Sequence, residues 1–326
     1  MYRFLLARAI KLIYVLVGST FVIFIAGYYA PGDPIRALFG EHGVNSVLYQ
    51  QRRHIYGFDL PWWQQYIHYV INCLHGNFGL SYHTVQQPVW EIVAPGLPAS
   101  GALALEALAA SMLIGIPAGI SVALRSETRA ASTITRVVFL LSALPGIVLI
   151  VSFQMLMVWL YKWGVRPLPM NDWQVHVVPV LLIAIMGGGL FYRLARTSML
   201  ETLKCDDVRT ARAKGLQERT VLLRHALPGA LIPLLSALGP ALGLIVTSVL
   251  ITEYLLHIPG LSATLLNAIN LRDYPVAQAI VVISCFFIVT CTLLSDIVAT
   301  FVDPYARMHD DRRNMRPPYR ELRPLF

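Results

Sequence analysis

Charge is what this sequence of 326 residues has least of: Asp, Glu, Lys and Arg make up 13% of it, against 56% hydrophobic residues. A soluble globular domain carries charge on about a quarter of its residues, so water is not the main solvent of this chain. Cysteine is nearly as sparse, with four in all, at positions 73, 205, 285 and 291. No two of them have the spacing of a metal site or a disulfide framework, and they read as small apolar fillers. The sequence holds no Gly-x-x-x-x-Gly-Lys-Ser/Thr phosphate loop, so any ATP used on its behalf is hydrolysed by another polypeptide. His-Glu-x-x-His is missing as well, which removes the commonest metal-hydrolase arrangement.

What is present instead is a set of apolar runs, each long enough to cross a hydrocarbon layer about 30 Å thick. Six spans are expected, over 10–30, 99–124, 137–161, 177–194, 229–252 and 276–301. Arg3, Arg8 and Lys11 ahead of the first run resemble the start of a signal peptide, but the run is too long and no small-x-small cleavage site follows, so it reads as an uncleaved span. Basic residues flanking a span resist translocation, which makes their distribution a topology marker. Three lie at the N-terminus, three between spans 2 and 3, eight around the loop between spans 4 and 5, and six in the tail, so 20 of the 26 fall on one side. Both termini and the two basic loops are therefore expected in the cytoplasm. The net charge of +8 is accounted for by topology and calls for no nucleic acid; membrane lipid is the expected surrounding.

Four segments follow: 1–30, the cytoplasmic N-terminus and first span; 31–98, an extracytoplasmic loop; 99–302, the remaining five spans with a structured cytoplasmic loop over 195–228; and 303–326, a basic tail. In the outer loop, Trp62, Trp63, Tyr66 and Tyr69 stand among polar residues behind Pro61, with a helical recurrence at Tyr66, Tyr69 and Val70. A short interfacial helix is expected there, which either docks a partner through Trp62, Trp63 and Tyr66 or packs as a lid on its own bundle. The cytoplasmic loop is long for a connection and is expected to be structured. Its Asp206-Asp207-Val208-Arg209-Thr210-Ala211-Arg212-Ala213-Lys214-Gly215-Leu216 run begins with acids that suit a helix N-terminus and ends on a glycine that suits a helix stop. A second short helix is expected from Leu216 to Ala226, ending where Leu227-Pro228 opens the next span.

Gly215 is followed at fixed distance by His225-Ala226-Leu227-Pro228, and the loop resembles the one by which the permeases of ABC importers dock their ATPases. The general family begins that loop Glu-Ala-Ala; Arg209-Thr210-Ala211 stands here, and the stretch from Asp207 to Gly215 is closer to the dipeptide, oligopeptide and nickel branch. The resemblance runs along nearly the whole chain. It takes in Pro31-Gly32-Asp33-Pro34, Tyr56-Gly57-Phe58-Asp59-Leu60-Pro61, Gly76-Asn77-Phe78-Gly79-Leu80-Ser81, Glu253-Tyr254-Leu255-Leu256-His257-Ile258-Pro259-Gly260-Leu261, Arg272-Asp273-Tyr274-Pro275 and Asp303-Pro304.

That resemblance implies an all-α, six-span subunit of a type I importer in a bacterial inner membrane, non-catalytic and without a bound cofactor. ATP and magnesium would sit on two partner ATPase subunits, beside a second, related permease and an extracytoplasmic binding protein. It implies dipeptides or oligopeptides as cargo, with nickel chelates, glutathione or another small solute as the alternative. Asp207, Arg209, Thr210, Ala211, Arg212, Ala213, Lys214, Gly215 and Leu216 would couple to the ATPase: Ala211 and Gly215 by close approach, the basic residues by pairing with acids of the partner.

Two acids near or within spans complete the candidates. Glu106 lies eight residues into the second run, on the order of 12 Å from its end, where a carboxylate costs about 2.5 to 3.5 kcal/mol. It either attracts a cationic group of the substrate or hydrogen-bonds within the membrane. Glu253, at the outer end of the fifth span, either lines an external gate or caps the segment through Pro259-Gly260. An ion-coupled secondary transporter would show several such acids at matching points of two repeats, and the sequence has one clear mid-span carboxylate and no evident repeat.

Overall fold

The computed structural model describes residues 2–30, 46–84, 87–164 and 172–302, and among them the chain is helical apart from one isolated bridge between Leu80 and Pro88. The Pro31–Pro34 run and the tail from 303 onward lie outside the described residues. Helix α1 (Tyr2–Tyr28) leads to the outer segment, which holds α2 (Ser46–Ile55), α3 (Trp62–Leu74) and the short α4 (Val89–Val93). The bundle follows as α5 (Leu97–Leu124), α6 (Arg129–Ala143), α7 (Gly146–Lys162) and α8 (Asp172–Thr202). Then come two short helices, α9 (Asp206–Ala213) and α10 (Glu218–Val221), the long α11 (Leu227–Leu256), the short α12 (Leu261–Asn270), and α13 (Tyr274–Val302).

Four helical stretches are long and apolar enough to cross a membrane: Val89–Leu124, His176–Thr202, Glu218–Leu256 and Tyr274–Thr300. The pair α6 and α7 makes a fifth crossing if taken together, and α1 adds the shorter apolar stretch Leu12–Tyr28. The run expected as one span over 137–161 is in fact two helices meeting at 93°. Leu144 and Pro145 are both extended at the junction, because proline lacks an N–H and pushes the residue before it out of the helical region.

Helix α5 lies against α8 through small residues. Ser111, Gly115 and Gly119, spaced four apart on one face, are buried, and a Cβ on either glycine would come within 2.5 Å of a carbonyl oxygen of α8, Gly188 or Tyr192. In a bilayer the lipid is as apolar as leucine, so close backbone approach of this kind is what holds helices together. Proline is tolerated inside α5, α8 and α11, at 117, 179, 233 and 240, where neighbouring groups satisfy the freed carbonyls. Helix α1 is joined to α13 on the outside of this core, with the Gln278 side-chain amide donating to the Ile23 carbonyl at 3.4 Å.

Candidate functional site

Helix α9 stands at one end of the long helices, and its sequence explains both of its termini. Asp206 and Asp207 occupy the first turn, where carboxylates face the positive end of the helix dipole. At the other end the Leu216 N–H donates to the Ala211 carbonyl at 3.4 Å and the Gly215 N–H to the Arg212 carbonyl at 2.9 Å. This is a Schellman closure, which needs a left-handed residue. Gly215 supplies it with φ +76°, and open space surrounds its α-carbon. Val208 and Ala211 are buried, in a cluster with Ala123 of α5, Met199 of α8, Val221 of α10, and Ala226 and Ala230 at the start of α11. Helix α9 is therefore packed against the ends of α5, α8 and α11 at once.

Two of the expected coupling residues also have neighbours within the chain. Ala211 is buried in the apolar cluster. Arg212, itself exposed, forms a forked pair with Glu218, Nη2 to Oε1 at 2.6 Å and Nε to Oε2 at 3.2 Å. Asp207, Arg209, Thr210, Arg212, Ala213, Lys214, Gly215 and Leu216 are all exposed, with Arg209 also 3.6 Å from Asp206. The second helix expected from Leu216 is the single turn of α10, followed by a π-helical turn at Leu222–Ala226 that runs directly into α11. Such π turns mark places where a helix register is locally loosened, often near functional sites.

The opposite end of the bundle is organised around two buried carboxylates. Glu253, 1% exposed, accepts a hydrogen bond from Ser100 Oγ of α5 at 2.5 Å and one from the Ser262 N–H at 3.1 Å, while Ser100 Oγ accepts from the Leu261 N–H at 2.9 Å. A Cβ at Gly260 would overlap the Glu253 carboxylate. Asp273, 4% exposed, accepts from Ser81 Oγ and, at 3.0 Å, from the Tyr82 N–H. The Tyr56 hydroxyl donates to the Ser81 carbonyl at 2.9 Å, and its ring meets that of Tyr82 edge-on at 4.9 Å. Burial, followed by the charge of Asp273 and the proximity of Tyr56, pushes the Tyr82 phenol above its ordinary range.

Among the outer aromatics, Trp62 and Trp63 are 43% and 49% exposed. Tyr66 is turned onto α1, with its hydroxyl 3.1 Å from the Val17 carbonyl and 3.2 Å from Thr20 Oγ1 and its ring against Phe21 and Phe24. It joins α3 to α1, while the two tryptophans remain outward. Glu106 is exposed on α5 and has no hydrogen-bond or ion-pair partner among the described residues. Ser100, Ser262 and Glu218 went unnoticed in the sequence, since a serine among apolar residues carries no signal of the carboxylate that it meets. Ser81 and Asp273 were visible only as parts of motifs.

Residues 115–308 match the family described as the binding-protein-dependent transport system inner membrane component, and residues 1–104 match the N-terminal part of such a membrane component. The dipeptide transport system permease protein DppB of Haemophilus influenzae is 30% identical, over 94% of this chain and 100% of its own length. The glutathione transport system permease protein GsiC of Escherichia coli is 29% identical, over 94% of this chain and 99% of its own. In fold, a chain of the inward-facing MetNI methionine ABC transporter covers 65% of this one and 96% of itself with a TM-score of 0.50 at 14% identity.

Proposed function

The chain belongs to the binding-protein-dependent transport system inner membrane component family, and from that premise we propose that it is the permease subunit of an ATP-driven importer of dipeptides or oligopeptides. The observation that carries the reading is α9: a short helix with an exposed basic face, closed by a left-handed glycine and seated on the inner ends of α5, α8 and α11. A partner that moves α9 moves those three ends together, because interiors packed side chain on side chain transmit displacement and do not absorb it. Asp207, Arg209, Thr210, Ala213, Lys214 and Leu216 form the docking surface for the ATPase, and acids on that partner would complement the basic members.

The complex this implies contains a second, homologous permease, two ATP-binding subunits that carry ATP and magnesium, and an extracytoplasmic binding protein that meets the outer segment around Trp62 and Trp63. The chain itself lies in the inner membrane with both termini in the cytoplasm and holds no cofactor. Short peptides are the cargo class that the two named relatives share, since glutathione is itself a tripeptide. Glu106 offers a carboxylate at mid-span to the ammonium group of such a peptide; the exposed position of the side chain is what supports this.

The test is purification of the tagged chain from mild detergent with its co-purifying subunits, followed by ATPase measurement with and without binding protein loaded with a dipeptide. Recovery of an ATPase whose rate rises with the loaded protein is the expected result. A chain that purifies alone and takes up substrate only against an ion gradient would overturn the reading.

A further inference from the structure

Helix α12 is fastened at both ends by carboxylates, and the two fastenings lead to different parts of the chain. At its N-terminus the first two amide groups, of Leu261 and Ser262, are taken by Ser100 and Glu253, so the helix start is bonded to α5 and α11 together. At its C-terminus the Asp273 N–H closes on the Ala268 carbonyl at 2.7 Å, while its carboxylate holds Ser81 and Tyr82 of the outer segment. Ser81 is itself fully buried and is the knot of that segment: Thr84 donates to its hydroxyl at 2.9 Å and Tyr56 to its carbonyl. Between the two fastenings, Leu261 and Ala268 of α12 pack with Val89 and Val93 of α4 and with Val276 and Ile280 of α13.

Neither carboxylate has a cationic partner among the described residues, so burial of each is balanced by hydrogen bonds alone. An apolar contact would attach the helix as firmly in energy; directional bonds from one carboxylate to two separate elements fix its orientation as well. The residues just outside α12 add to this. His257 and Arg272 hold φ of +56° and +58°, a conformation that costs a side-chain-bearing residue about 1 to 2 kcal/mol and persists where the surroundings enforce it.

We propose that α12 is a rigid crossbar, with Glu253 and Asp273 as its positioning residues, that carries the docking of the substrate-loaded binding protein on the outer segment to the outer ends of α5 and α11. The inference rests on the permease reading and adds to it the path by which the outside of the membrane signals inward. Because Asp273 seizes the knot of the outer segment and Glu253 seizes α5 and α11, a push on the first displaces the second without passing through lipid-exposed contacts.

The experiment uses the whole complex in lipid nanodiscs, with this chain as wild type, Asp273→Asn, Ser81→Ala, or the pair Ser81→Cys with Asp273→Cys, and reads basal ATPase, ATPase with loaded binding protein, and the affinity of that protein. In Asp273→Asn and Ser81→Ala, stimulation is expected to fall about tenfold, the size of one coupling free energy, with basal rate and affinity within about twofold. The cysteine pair is expected to recover stimulation when oxidised and to lose it when reduced, which also answers the case in which Asp273→Asn fails to assemble. Full stimulation in both single variants, or a block imposed by the oxidised pair, would overturn the crossbar. A wild-type complex that loaded binding protein does not stimulate would instead remove the permease reading beneath it.

Discussion

The two ends of this bundle each carry a short helix, α9 with 8 residues and α12 with 10, and the two are attached by opposite means. Helix α9 rests on Val208 and Ala211 in an apolar cluster, with one ion pair to a residue six positions away. Helix α12 is flanked by Glu253, which bonds Ser262 of its first turn, and Asp273 just past its end, and these carboxylates reach residues 153 and 192 positions away. Apolar burial is non-directional, so α9 keeps its contact with three spans while its exposed face adapts to whatever seats it. Hydrogen bonds to a buried carboxylate are directional and costly to leave unmade, so α12 keeps one orientation. On the proposed reading, the α9 end is left to be positioned by a partner, whereas the α12 end is already positioned by the chain itself.

The sharpest way to break the comparison is Gly215→Arg. Its effect comes from backbone strain at φ +76°, since a Cβ would meet nothing. The Schellman closure opens, α9 loses its stop, and ATP-coupled peptide uptake should drop to background while membrane insertion, followed by immunoblot of the membrane fraction, stays normal. Normal uptake would remove α9 as the coupling element. Next in size is Gly260→Ala, where the fault is steric: the new methyl overlaps the Glu253 carboxylate and should cost about 1 to 3 kcal/mol, as overpacking does, read as a lower Tm of the purified complex. Glu253→Ala loses the clamp by deletion. Because both changes strike one contact, the double variant should melt close to Glu253→Ala and well above the sum of the two losses; simple additivity would mean that Gly260 is not there to make room for the carboxylate.

The same contrast explains what the sequence makes legible. Lipid imposes long apolar runs, so the spans stand out in a hydropathy window, and the proposed coupling surface is one contiguous stretch from Asp207 to Leu216 in which acids, small residues and a terminal glycine each have a local meaning. A break does not show in an averaged window, which is why 137–161 reads as a single span although Pro145 turns the chain by 93°. Inward or outward direction of a small residue on a short helix is also hidden, and so Ala211 reads equally well as facing a partner or facing its own bundle. The distant partners of Glu253 and Asp273 are illegible for a further reason: Ser100 and Ser81 become their neighbours only once the bundle is closed.

Glu106 sits between the two ends and belongs to neither mode of attachment, since nothing among the described residues bonds to it. Placed in hydrocarbon, its charge would cost about 2.5 to 3.5 kcal/mol, so on the proposed reading the face of α5 that carries it meets water, substrate or a partner subunit. Glu106→Gln is expected to weaken uptake of a dipeptide with a free amino terminus about tenfold, which corresponds to 1.4 kcal/mol of lost attraction, and to leave uptake of its N-acetylated form unchanged. Equal losses for both peptides would assign Glu106 to structure and not to the substrate.

The smallest expected effect separates the two ways of using a basic residue on α9. Arg212 is half-exposed and spends its guanidinium on Glu218 within its own chain, whereas Arg209 and Lys214 face outward. An ion pair at the surface contributes little, because water screens it and two flexible side chains must be held still. If the fork with Glu218 is the whole of what Arg212 does, Arg212→Ala and Glu218→Ala should lower uptake equally and by less than about twofold, while Arg209→Ala and Lys214→Ala lower it more. A loss in Arg212→Ala that exceeds the one in Glu218→Ala would return Arg212 to the docking face, and the inner end would then rest on its apolar cluster alone.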